Sequence, residues 1–388
     1  VGGNRDGAAM KRPSLAIVTN GGWFNTFQRP HHFARYLRAE YQLEVMNNVV
    51  WLPFRGYGYM QEQAELVDGI RNLYLLKGQD RYRPIGFCNK LLLKLQNPLW
   101  YRSDSFRDAD VVYTWQLDDL SYLRHCDGKL VVYDAMDDWA AFGAAVDQRI
   151  IEHELQVVER ADIILTVSDK LQQRFAAIHP NTHLIRNGVD AAFFGTVPQY
   201  RRGSVEVMRE LEGIPVDGFV CGRGDWVGGL LLVQAAACCP EINFVVIGPA
   251  SHGIEPLLAR QSNIRYLGPR PYSALPAYLA YFSVGLIPFK VNLLNESTNP
   301  IKLYEYLGAG LPVVSTGLPE VVALQQPGVV TIADTPQTFA DQIRMACSQS
   351  NSIEQLTQRC RIAAQNSWAS RSEHLRELIT AARSSRCP

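Results

Sequence analysis

Short apolar runs rich in β-branched residues recur along the whole chain, and segments with helical periodicity separate them. Continuous apolar strands of this length are typical of parallel sheets that are buried on both faces. Their alternation with helices predicts an α/β fold with doubly wound sheets. The runs that we interpret as strands are 15–20, 43–53, 110–117, 129–135, 161–168, 183–188, 218–226, 242–251, 263–271, 283–290 and 311–316.

The strand–helix pattern starts twice, which predicts two consecutive domains. A chain of 388 residues is also longer than one ordinary core supports. The polar, irregular segment 196–209 separates the two halves. We therefore expect an N-terminal Rossmann-like domain at 11–197, a C-terminal one at 198–365, and a final helix at 366–388 that packs back towards the N-terminal domain. Residues 1–10 lack a hydrophobic signal core and are expected to form a disordered leader.

The predicted architecture also predicts where a ligand binds. In doubly wound sheets, ligands bind outside the carboxyl ends of the strands. With two such sheets facing each other, the expected site is the cleft between the domains. Side chains that directly follow strands are therefore the first candidates for chemistry.

Composition excludes several classes of protein. The formal net charge is zero at pH 7, which argues against a nucleic-acid-binding protein, because such proteins usually carry a basic excess. The eight cysteines include no Cys-x-x-Cys pair, which excludes a zinc ribbon and a thioredoxin motif. Cysteines this sparse favour a reducing cytoplasm over a disulfide scaffold. No run reaches the roughly eighteen apolar residues of a membrane-spanning helix.

The stretch NESTNPIKLYEYLGAGLPVVST predicts a helix between a polar loop and an apolar strand. Asn299 is the predicted N-cap and Pro300 the first helical residue, with Ser297 and Thr298 as alternative caps. Free N–H groups and the helix dipole make such an N-terminus an anion site. Lys302 in the first turn weakens an isolated helix, and a bound anion would offset that effect. The stretch thus predicts a phosphate site.

One carboxylate, Glu305, stands among the apolar and aromatic residues of this predicted helix. Two interpretations are open from the residues alone. A carboxylate here could accept two hydroxyl hydrogens, as from the diol of a ribose. An isolated acid on a helix is more often solvated, and the spacing by itself favours that second interpretation.

Three motifs together resemble the family-4 glycosyltransferases: NPIKLYEYLGAGLPVVST, RNGVD at 186–190, and the Gly-Gly pair after the first strand. The similarity extends over nearly the whole chain and is greatest to bacterial members that act in surface-polysaccharide assembly. It implies the GT-B fold, in which two Rossmann-like domains with parallel sheets face each other across a cleft. It also implies transfer of a sugar from a nucleoside-diphosphate donor to a hydroxyl acceptor, with retention of anomeric configuration.

The resemblance further implies the partners of the reaction. The donor would be a UDP- or GDP-sugar, and the acceptor a saccharide or a lipid-linked saccharide. Neither a cofactor nor a metal ion is expected, because basic residues and a helix dipole can stabilise a departing diphosphate. The enzyme would act in the cytoplasm, either free or peripheral at the inner face of the membrane.

Carried over residue by residue, the resemblance implies that Glu305 binds the ribose of the donor. Glu305 matches the second acid of a Glu-x7-Glu pair that marks the family. Ser297 stands in the place of the first acid, and Glu296 is its neighbour. Ser297, Thr298 and the backbone of their loop would then hydrogen-bond the hydroxyl groups of the donor sugar.

The resemblance also implies the diphosphate contacts. Arg223 in CGRGDW matches an arginine of the family, and its alternative is a surface loop. The lysine expected a few residues later is absent, so Lys290 or Lys302 would substitute for it. Gly21 and Gly22 would face the diphosphate, or would form an ordinary tight turn.

Two further residues follow strands of the second predicted domain. Gly248 and Tyr272 lie where the base of the nucleotide could sit. Tyr272 would stack on the base, and a structural turn is an equally good interpretation of its position.

Candidate side chains also follow strands in the first predicted domain. Asp134, Asp137 and Asp138 stand at the end of one strand, where Asp138 could contact the acceptor or act as a base. The more common role for Asp137 or Asp138 is a cap for the helix that starts at Trp139. His32 could face the acceptor, although a histidine in this position is more often a surface residue. The candidate catalytic residues are therefore Asp138, His32 and Arg223.

The segment 71–107 combines positive charge with large apolar residues. It contains eight Lys and Arg residues against two Asp and Glu residues. Such a composition suits an interfacial helix on an anionic membrane, or a groove for a lipid-diphosphate acceptor. An ordinary helix with one core face and one solvated basic face is equally consistent with it.

Two functions compete with a glycosyltransferase. A nucleotide-sugar 2-epimerase has the same two-domain architecture and would release a free sugar without an acceptor. A nucleotide-binding protein without turnover is the other, because one acid and one lysine of the family pattern are missing.

Overall fold

The computed structural model describes residues 12–19, 23, 27–52, 63–76, 83–145, 147–197, 211, 216–220, 228–248, 254–348 and 352–386. The predicted leader at 1–10 lies outside the described residues. The same holds for three predicted site residues, Gly21, Gly22 and Arg223.

Strands and helices alternate along most of the described chain. The strands are β1 (Ser14–Val18), β2 (Gln42–Leu52), β3 (Gly69–Leu76), β4 (Val111–Thr114), β5 (Leu130–Ala135), β6 (Ile163–Thr166), β7 (Thr182–Leu184), β8 (Val216–Val220), β9 (Asn243–Ile247), β10 (Ile264–Gly268), β11 (Phe282–Ile287), β12 (Val313–Ser315) and β13 (Val330–Ile332). The helices are α1 (Arg29–Leu37), α2 (Arg83–Tyr101), α3 (Asp104–Arg107), α4 (Gln148–Arg160), α5 (Asp169–Ala176), α6 (Ala191–Phe194), α7 (Gly229–Cys238), α8 (Ile254–Leu258), α9 (Leu275–Leu279), α10 (Ile301–Gly308), α11 (Pro319–Val322), α12 (Pro336–Ser348), α13 (Ile353–Gln365) and α14 (Trp368–Ser384). Short 3-10 helices lie at Leu123–His125, Trp139–Ala145, Tyr272–Ala274 and Asn295–Ser297. Among the helices of the described residues, none combines the length and the apolar character needed to cross a membrane.

The strands form two sheets. Their order is β3-β2-β1-β4-β5-β6-β7 in the first sheet and β10-β9-β8-β11-β12-β13 in the second. Neighbouring strands run parallel from β3 to β5 in the first sheet and throughout the second. Both orders contain the 3-2-1-4-5-6 arrangement of Rossmann sheets. The prediction of an α/β fold with doubly wound parallel sheets is confirmed.

The strand order places one switch point in each sheet, between β1 and β4 and between β8 and β11. Sheets of this kind bind ligands outside the carboxyl ends of the strands at that point. In the second sheet, the loop that leaves β11 after Ile287 runs through Lys290 to the 3-10 helix Asn295–Ser297 and then to α10. The predicted phosphate helix therefore follows directly from the switch point.

Burial explains which strands were predictable. Every residue of β4, β5 and β6 is buried, as expected for apolar strands at the centre of a parallel sheet. Two strands were not predicted. β3 overlaps the basic segment 71–107, and β13 has only three residues. Neither of them is the continuous apolar run that reveals a central strand.

By their internal packing the residues form two compact units. The first unit consists of residues 1–134, 147–165 and 375–388, and the second of residues 135–146 and 166–374. The domain limits expected from the sequence, with a boundary at residue 197, stay a prediction.

Helix α10 is seated on the second sheet through a glycine. A Cβ on Gly285 of β11 would lie 2.3 Å from the ring of Tyr306, which is fully buried. Gly310 follows the C-cap residue of the helix, and its φ of 78° suits glycine. The N–H of Gly310 donates to the carbonyl of Leu307 at 3.0 Å, and that of Leu311 to Tyr306 at 2.9 Å, which together form a Schellman motif. The start and the end of this helix are therefore both defined by the fold.

Candidate functional site

Glu305 is a buried carboxylate and not a solvated one. Only 2% of the residue is exposed, and Lys302, one turn earlier, donates from Nζ to its Oε2 at 2.6 Å. The interpretation that the spacing favoured, an acid in water, is therefore wrong. A charge held in the interior needs a partner, which Lys302 supplies. The same ion pair explains how a lysine is tolerated in the first turn of α10.

The helix begins one residue later than predicted. Its first residue is Ile301, and Pro300 is the N-cap residue, with no side-chain cap. The prediction that Asn299 caps the helix is wrong, because its side chain is used elsewhere. Its Oδ1 accepts from the N–H of Asn187 at 3.0 Å, and its Nδ2 donates to the hydroxyl of Tyr304 at 3.0 Å.

Asn187 and Asn299 bind each other reciprocally. In addition to the bond from its N–H, Asn187 donates from Nδ2 to the carbonyl of Asn299 at 2.6 Å. Both residues are buried, at 8% and 2% exposure. Asn187 belongs to the RNGVD motif, and its two hydrogen bonds hold the chain just before α10.

Glu320, at the start of α11, joins three separate segments. It is 5% exposed and accepts three hydrogen bonds. Its Oε1 accepts from the N–H of Asp169 at 2.9 Å, while Oε2 accepts from Nε of Arg186 at 2.7 Å and from Nδ2 of Asn299 at 2.9 Å. Burial lowers the pKa of Arg186, but the hydrogen bond and the charge of Glu320 outweigh it, and the net shift of this pKa is upward.

Glu320 was not among the predicted site residues. A signal for it was present, since it follows strand β12 at the carboxyl edge of the sheet. The proline before it made it look like an ordinary acid in the first turn of a helix.

Ser297 is held by a carboxylate from a distant part of the chain. Its Oγ donates to Oδ2 of Asp138 at 3.0 Å, and Arg174 donates from a guanidinium nitrogen to Oδ1 at 2.9 Å. Ser297 is 1% exposed and Asp138 is 7% exposed. Asp138 lies just before the 3-10 helix Trp139–Ala145, where a cap was expected, but both of its carboxylate oxygens make these other bonds. The structure therefore brings an acid to the serine that stands in the place of the family's first acid.

Glu296, the acid next to Ser297, forms an ion pair on the other side of the loop. Nζ of Lys170 donates to its Oε2 at 2.9 Å, and the two side chains are 40% and 37% exposed. An exposed pair of this kind contributes little to stability. It nevertheless shows that this acid is engaged by Lys170, while Asp138 is the acid in contact with Ser297.

One short helix contacts three of the acids described above. Helix α5 provides the N–H of Asp169 for Glu320, the ammonium of Lys170 for Glu296 and the guanidinium of Arg174 for Asp138. The loop 295–299 before α10 is thus fixed from one side by α5. All of these contacts lie within the second unit.

The switch point of the second sheet has a close backbone contact. The N–H of Gly228, the N-cap residue of α7, donates to the carbonyl of Pro288 at 2.6 Å. A Cβ at position 228 would lie 2.6 Å from the same oxygen, so only glycine fits. Lys290 follows in this loop with an exposed side chain, and its carbonyl accepts from Nδ2 of Asn295 at 2.6 Å.

Gly248 and Tyr272, which were predicted to contact the base of the nucleotide, both make contacts within the protein. Gly248 has a φ of 135°, a conformation that favours glycine, and its carbonyl accepts from the hydroxyl of Tyr266 at 3.0 Å. The ring of Tyr272 is 8% exposed and stacks on Phe193 at 5.3 Å between centroids. Thr298, a predicted contact of the donor sugar, is half-buried beside Ser297.

Polar side chains of the first unit form a separate buried cluster. Nε of Arg29 donates to Oδ2 of Asp134 at 2.8 Å, and the hydroxyl of Tyr113 also donates to that oxygen. Burial, and then the charge of Asp134, raise the pKa of Tyr113 well above its usual value. Asp134 is 1% exposed and is thus an internal anchor of this unit.

The two histidines of α1 are buried and not at the surface. His32 is 1% exposed, with its ring edge-on to Phe27 at 4.8 Å. Nδ1 of His31 accepts from the N–H of Gln28 at 3.0 Å, so Nε2 carries the proton and donates to the carbonyl of Trp23 at 2.7 Å. Burial lowers the pKa of His31 to about 4. The surface interpretation of His32 is therefore wrong.

The arrangement in the second unit can bind an anionic, hydroxyl-rich ligand. It combines a buried helix carboxylate with a lysine in the same turn, and a second carboxylate beside a serine hydroxyl. Carboxylates accept hydrogen bonds from hydroxyl groups, and lysine ammonium groups bind phosphates. Within the described ranges, no group of three His, Cys, Asp or Glu residues could hold a metal ion.

Comparison with known proteins shows what the chain is similar to. The sequence model of the family described as "Glycosyl transferases group 1" matches residues 221–349. TuaH of Bacillus subtilis (strain 168), which its name assigns to teichuronic acid biosynthesis as a glycosyltransferase, is 28% identical over 375 residues. That alignment covers 88% of this chain and 90% of TuaH.

Solved structures share the fold. HepE from Anabaena, in complex with UDP and glucose, aligns with a TM-score of 0.68 and 15% identity over 95% of this chain and 100% of that one. An α,α-trehalose-phosphate synthase (UDP-forming) from Burkholderia xenovorans, in complex with glucose-6-phosphate, aligns with a TM-score of 0.61 and 13% identity over 94% and 99%. The chain therefore has the GT-B fold, is similar over residues 221–349 to the glycosyl transferases group 1 family, and is a glycosyltransferase.

Proposed function

We propose that the chain transfers a sugar from a nucleoside-diphosphate sugar to a hydroxyl group of a saccharide or of a lipid-linked saccharide. The observation that carries the proposal is the burial of Glu305 on α10, paired with Lys302. A desolvated carboxylate binds a ribose diol more strongly than a solvated one, because water competes less for its oxygens. UDP is the preferred nucleotide, since HepE was solved with UDP, and GDP is the alternative.

The diphosphate would bind at the start of α10. Lys302 in its first turn and Lys290 in the loop after β11 are the cations available there, and the helix N-terminus adds unpaired N–H groups. Arg223, Gly21 and Gly22 lie outside the described residues, and the diphosphate contacts expected for them stay predictions. No metal ion is required in this scheme, so addition of a chelator should leave the rate unchanged.

The sugar would bind next to Ser297 and Thr298. Asp138 contributes the carboxylate that Ser297 lacks, and the 3.0 Å contact between them keeps the acid at this place. Hydrogen bonds from sugar hydroxyl groups to Asp138 would orient the anomeric carbon towards the acceptor.

The proposed reaction proceeds with retention by attack on the front face. The acceptor oxygen forms a bond to the anomeric carbon as the bond from that carbon to the diphosphate oxygen breaks. The acceptor proton passes to the departing diphosphate, whose charge is stabilised by Lys302, Lys290 and the dipole of α10. The acceptor contact expected for His32 stays a prediction. Product analysis by NMR gives the anomeric configuration, and an inverted product refutes this course of reaction.

The biological role that we propose is polysaccharide assembly in the cytoplasm. The assignment of TuaH to teichuronic acid biosynthesis supports a cell-surface polysaccharide as the product. The cysteines of the described residues are free thiols, which agrees with a reducing compartment.

The decisive experiment is nucleotide binding by two matched variants. A screen of thermal shifts with UDP-, GDP-, ADP- and dTDP-sugars identifies the donor, because a ligand that binds the folded state stabilises it. Glu305→Gln should then weaken binding of that nucleotide by between about tenfold and a hundredfold. This range corresponds to the free energy that hydrogen bonds to a charged group contribute. Glu354→Gln, an exposed acid in the first turn of α13, is the control. Equal affinity of Glu305→Gln and the parent overturns the assignment.

The two competing functions predict different results. A 2-epimerase releases a free sugar from the donor without any acceptor. A binding protein without turnover binds nucleotide but neither hydrolyses the donor nor modifies an acceptor. The structure favours the transferase over the binding protein. Asp138 supplies a carboxylate in place of the missing acid, and Lys302, paired with the buried Glu305, supplies a cation in place of the missing lysine.

A further inference from the structure

Helix α2 presents a line of large apolar side chains to solvent. Phe87, Leu91, Leu95 and Leu99 are 70%, 49%, 60% and 71% exposed. Residues four apart on a helix share a face and drift by about 40° per step, so the four side chains form one continuous stripe. A contiguous exposed apolar patch marks a docking surface, whereas single exposed apolar residues do not.

The stripe is not the side by which α2 is attached to the protein. The helix packs against strand β3 of the first unit. Asn89 and Gln96, about 120–140° around the helix from the middle of the stripe, are half-buried. The apolar stripe therefore remains available after the helix has taken its place in the fold.

Basic residues border the stripe, and no acidic residue accompanies them. The helix is basic at positions 83, 90 and 94, and the sequence between 81 and 103 contains neither Asp nor Glu. At 3.6 residues per turn these three positions fall within about 60° of Phe87, along one edge of the stripe. Lys94 is exposed, and so is Arg102 just beyond the helix. Positive charge beside an apolar stripe complements a surface that is anionic outside and apolar beneath.

We propose that α2 docks the protein on an anionic lipid bilayer. Phe87, Leu91, Leu95 and Leu99 insert at the boundary between headgroups and acyl chains, and the basic edge of the helix lies among the anionic headgroups. The helix lies along the surface, because its apolar face covers one side only. Of the interpretations open for segment 71–107, the exposed stripe favours this one. The proposal concerns the first unit and does not depend on the donor chemistry of the second.

The test is co-sedimentation of the full chain with lipid vesicles. One set of vesicles contains phosphatidylcholine alone, and the other contains phosphatidylcholine mixed with phosphatidylglycerol. We expect binding to the anionic vesicles that weakens as salt is added, because salt screens the headgroup charge. Leu91→Glu and Leu95→Glu should each lower the partition coefficient by about tenfold or more, and Lys94→Ala by about fivefold.

Matched controls separate docking from damage to the fold. Leu155→Glu places the same charge on an exposed leucine of α4, and Arg361→Ala removes an exposed cation of α13. Both controls should bind vesicles like the parent, and all variants should melt at the parent temperature. Absence of binding to anionic vesicles, or equal losses for Leu91→Glu and Leu155→Glu, overturns the proposal. So does a lipid-free dimer that Leu91→Glu dissociates in sedimentation velocity, since the stripe would then be a protein interface.

Discussion

Ser297 donates a hydrogen bond from its Oγ to Oδ2 of Asp138 over 3.0 Å, across 159 positions of sequence. Both residues belong to the second unit, and Arg174 neutralises the carboxylate from the other side. Ser297 stands where the resemblance implies an acid, and the contact brings the carboxylate of Asp138 to it. The negative charge is present at this place, but a different segment of the chain supplies it.

If this carboxylate holds the donor sugar, Asp138→Asn should lower kcat/KM by about tenfold or more, the loss of one charged hydrogen bond in the transition state. Binding of the nucleotide without its sugar should be unchanged. Asp127→Asn, at an exposed position, is the matched control. The double exchange of Ser297→Glu with Asp138→Ser should retain more activity than Ser297→Glu alone, because the latter places two acids side by side. Equal loss of nucleotide and donor affinity in Asp138→Asn contradicts the assignment to the sugar.

Glu320 should act on the donor site through Asn299 and Arg186. Glu320→Gln removes the charge that both residues bind, so the free energy of unfolding should fall by about 2 kcal/mol. Asn299→Ala removes one of the same bonds, and the two variants together should cost less than the sum of their separate effects. Chemical denaturation of the parent, the two single variants and the double variant measures this coupling. Strict additivity would show that Glu320 and Asn299 act independently.

The end of α10 gives a prediction about backbone strain. Gly310→Ala should lower stability by about 1–2 kcal/mol, because alanine is disfavoured at a φ of 78°. That figure is the backbone contribution alone, and the total loss should be larger because the new Cβ would lie 2.4 Å from a methyl group of Leu356. Gly128→Ala is the matched control, with a φ of 75° and nothing within 4 Å of the added Cβ. Comparison of the two melting temperatures isolates the contact with Leu356, and Leu356→Ala should restore that part in Gly310→Ala.

His31 should make stability depend on pH in a defined window. The unfolded chain protonates this histidine near its ordinary pKa of 6.5, whereas burial holds the folded pKa at about 4. Between these values the unfolded state binds more protons, so the free energy of unfolding falls as the pH drops from about 6.5 to about 4. A difference of this size corresponds to about 3 kcal/mol.

The measurement is urea denaturation at several pH values within that window. His31→Gln should show a flatter pH dependence than the parent, because the titrating group is gone. His374→Gln, at an exposed histidine, should keep the slope of the parent. An unchanged slope in His31→Gln means that the lost stability comes from other groups.

Residues that act through local patterns were predictable from the sequence. The apolar runs gave the central strands, because a buried parallel strand has no polar face to interrupt the run. Gly310, which follows α10, acts through an equally local feature, its left-handed backbone. Strand β3 was not predicted, because its apolar residues are mixed with arginine and asparagine.

Residues that act through contacts between distant segments were not predictable. Asn299 looked like a cap because the sequence shows its place before a helix and not its partner Asn187, 112 positions away. The contacts of Glu320 and Asp138 could not be predicted for the same reason, since their hydrogen-bond partners lie far away in the sequence. The acidity of Glu305 was visible in the sequence, but its burial depends on how the second sheet packs against α10.

The ring of Tyr306 occupies the space that a side chain at position 285 would need. Divergence at these two positions must therefore be coupled, because any larger residue at 285 requires a smaller one at 306. Relatives should keep glycine opposite tyrosine or exchange both residues together. A library of paired substitutions, selected for soluble protein, would map which combinations evolution can use without displacing the helix that bears Glu305.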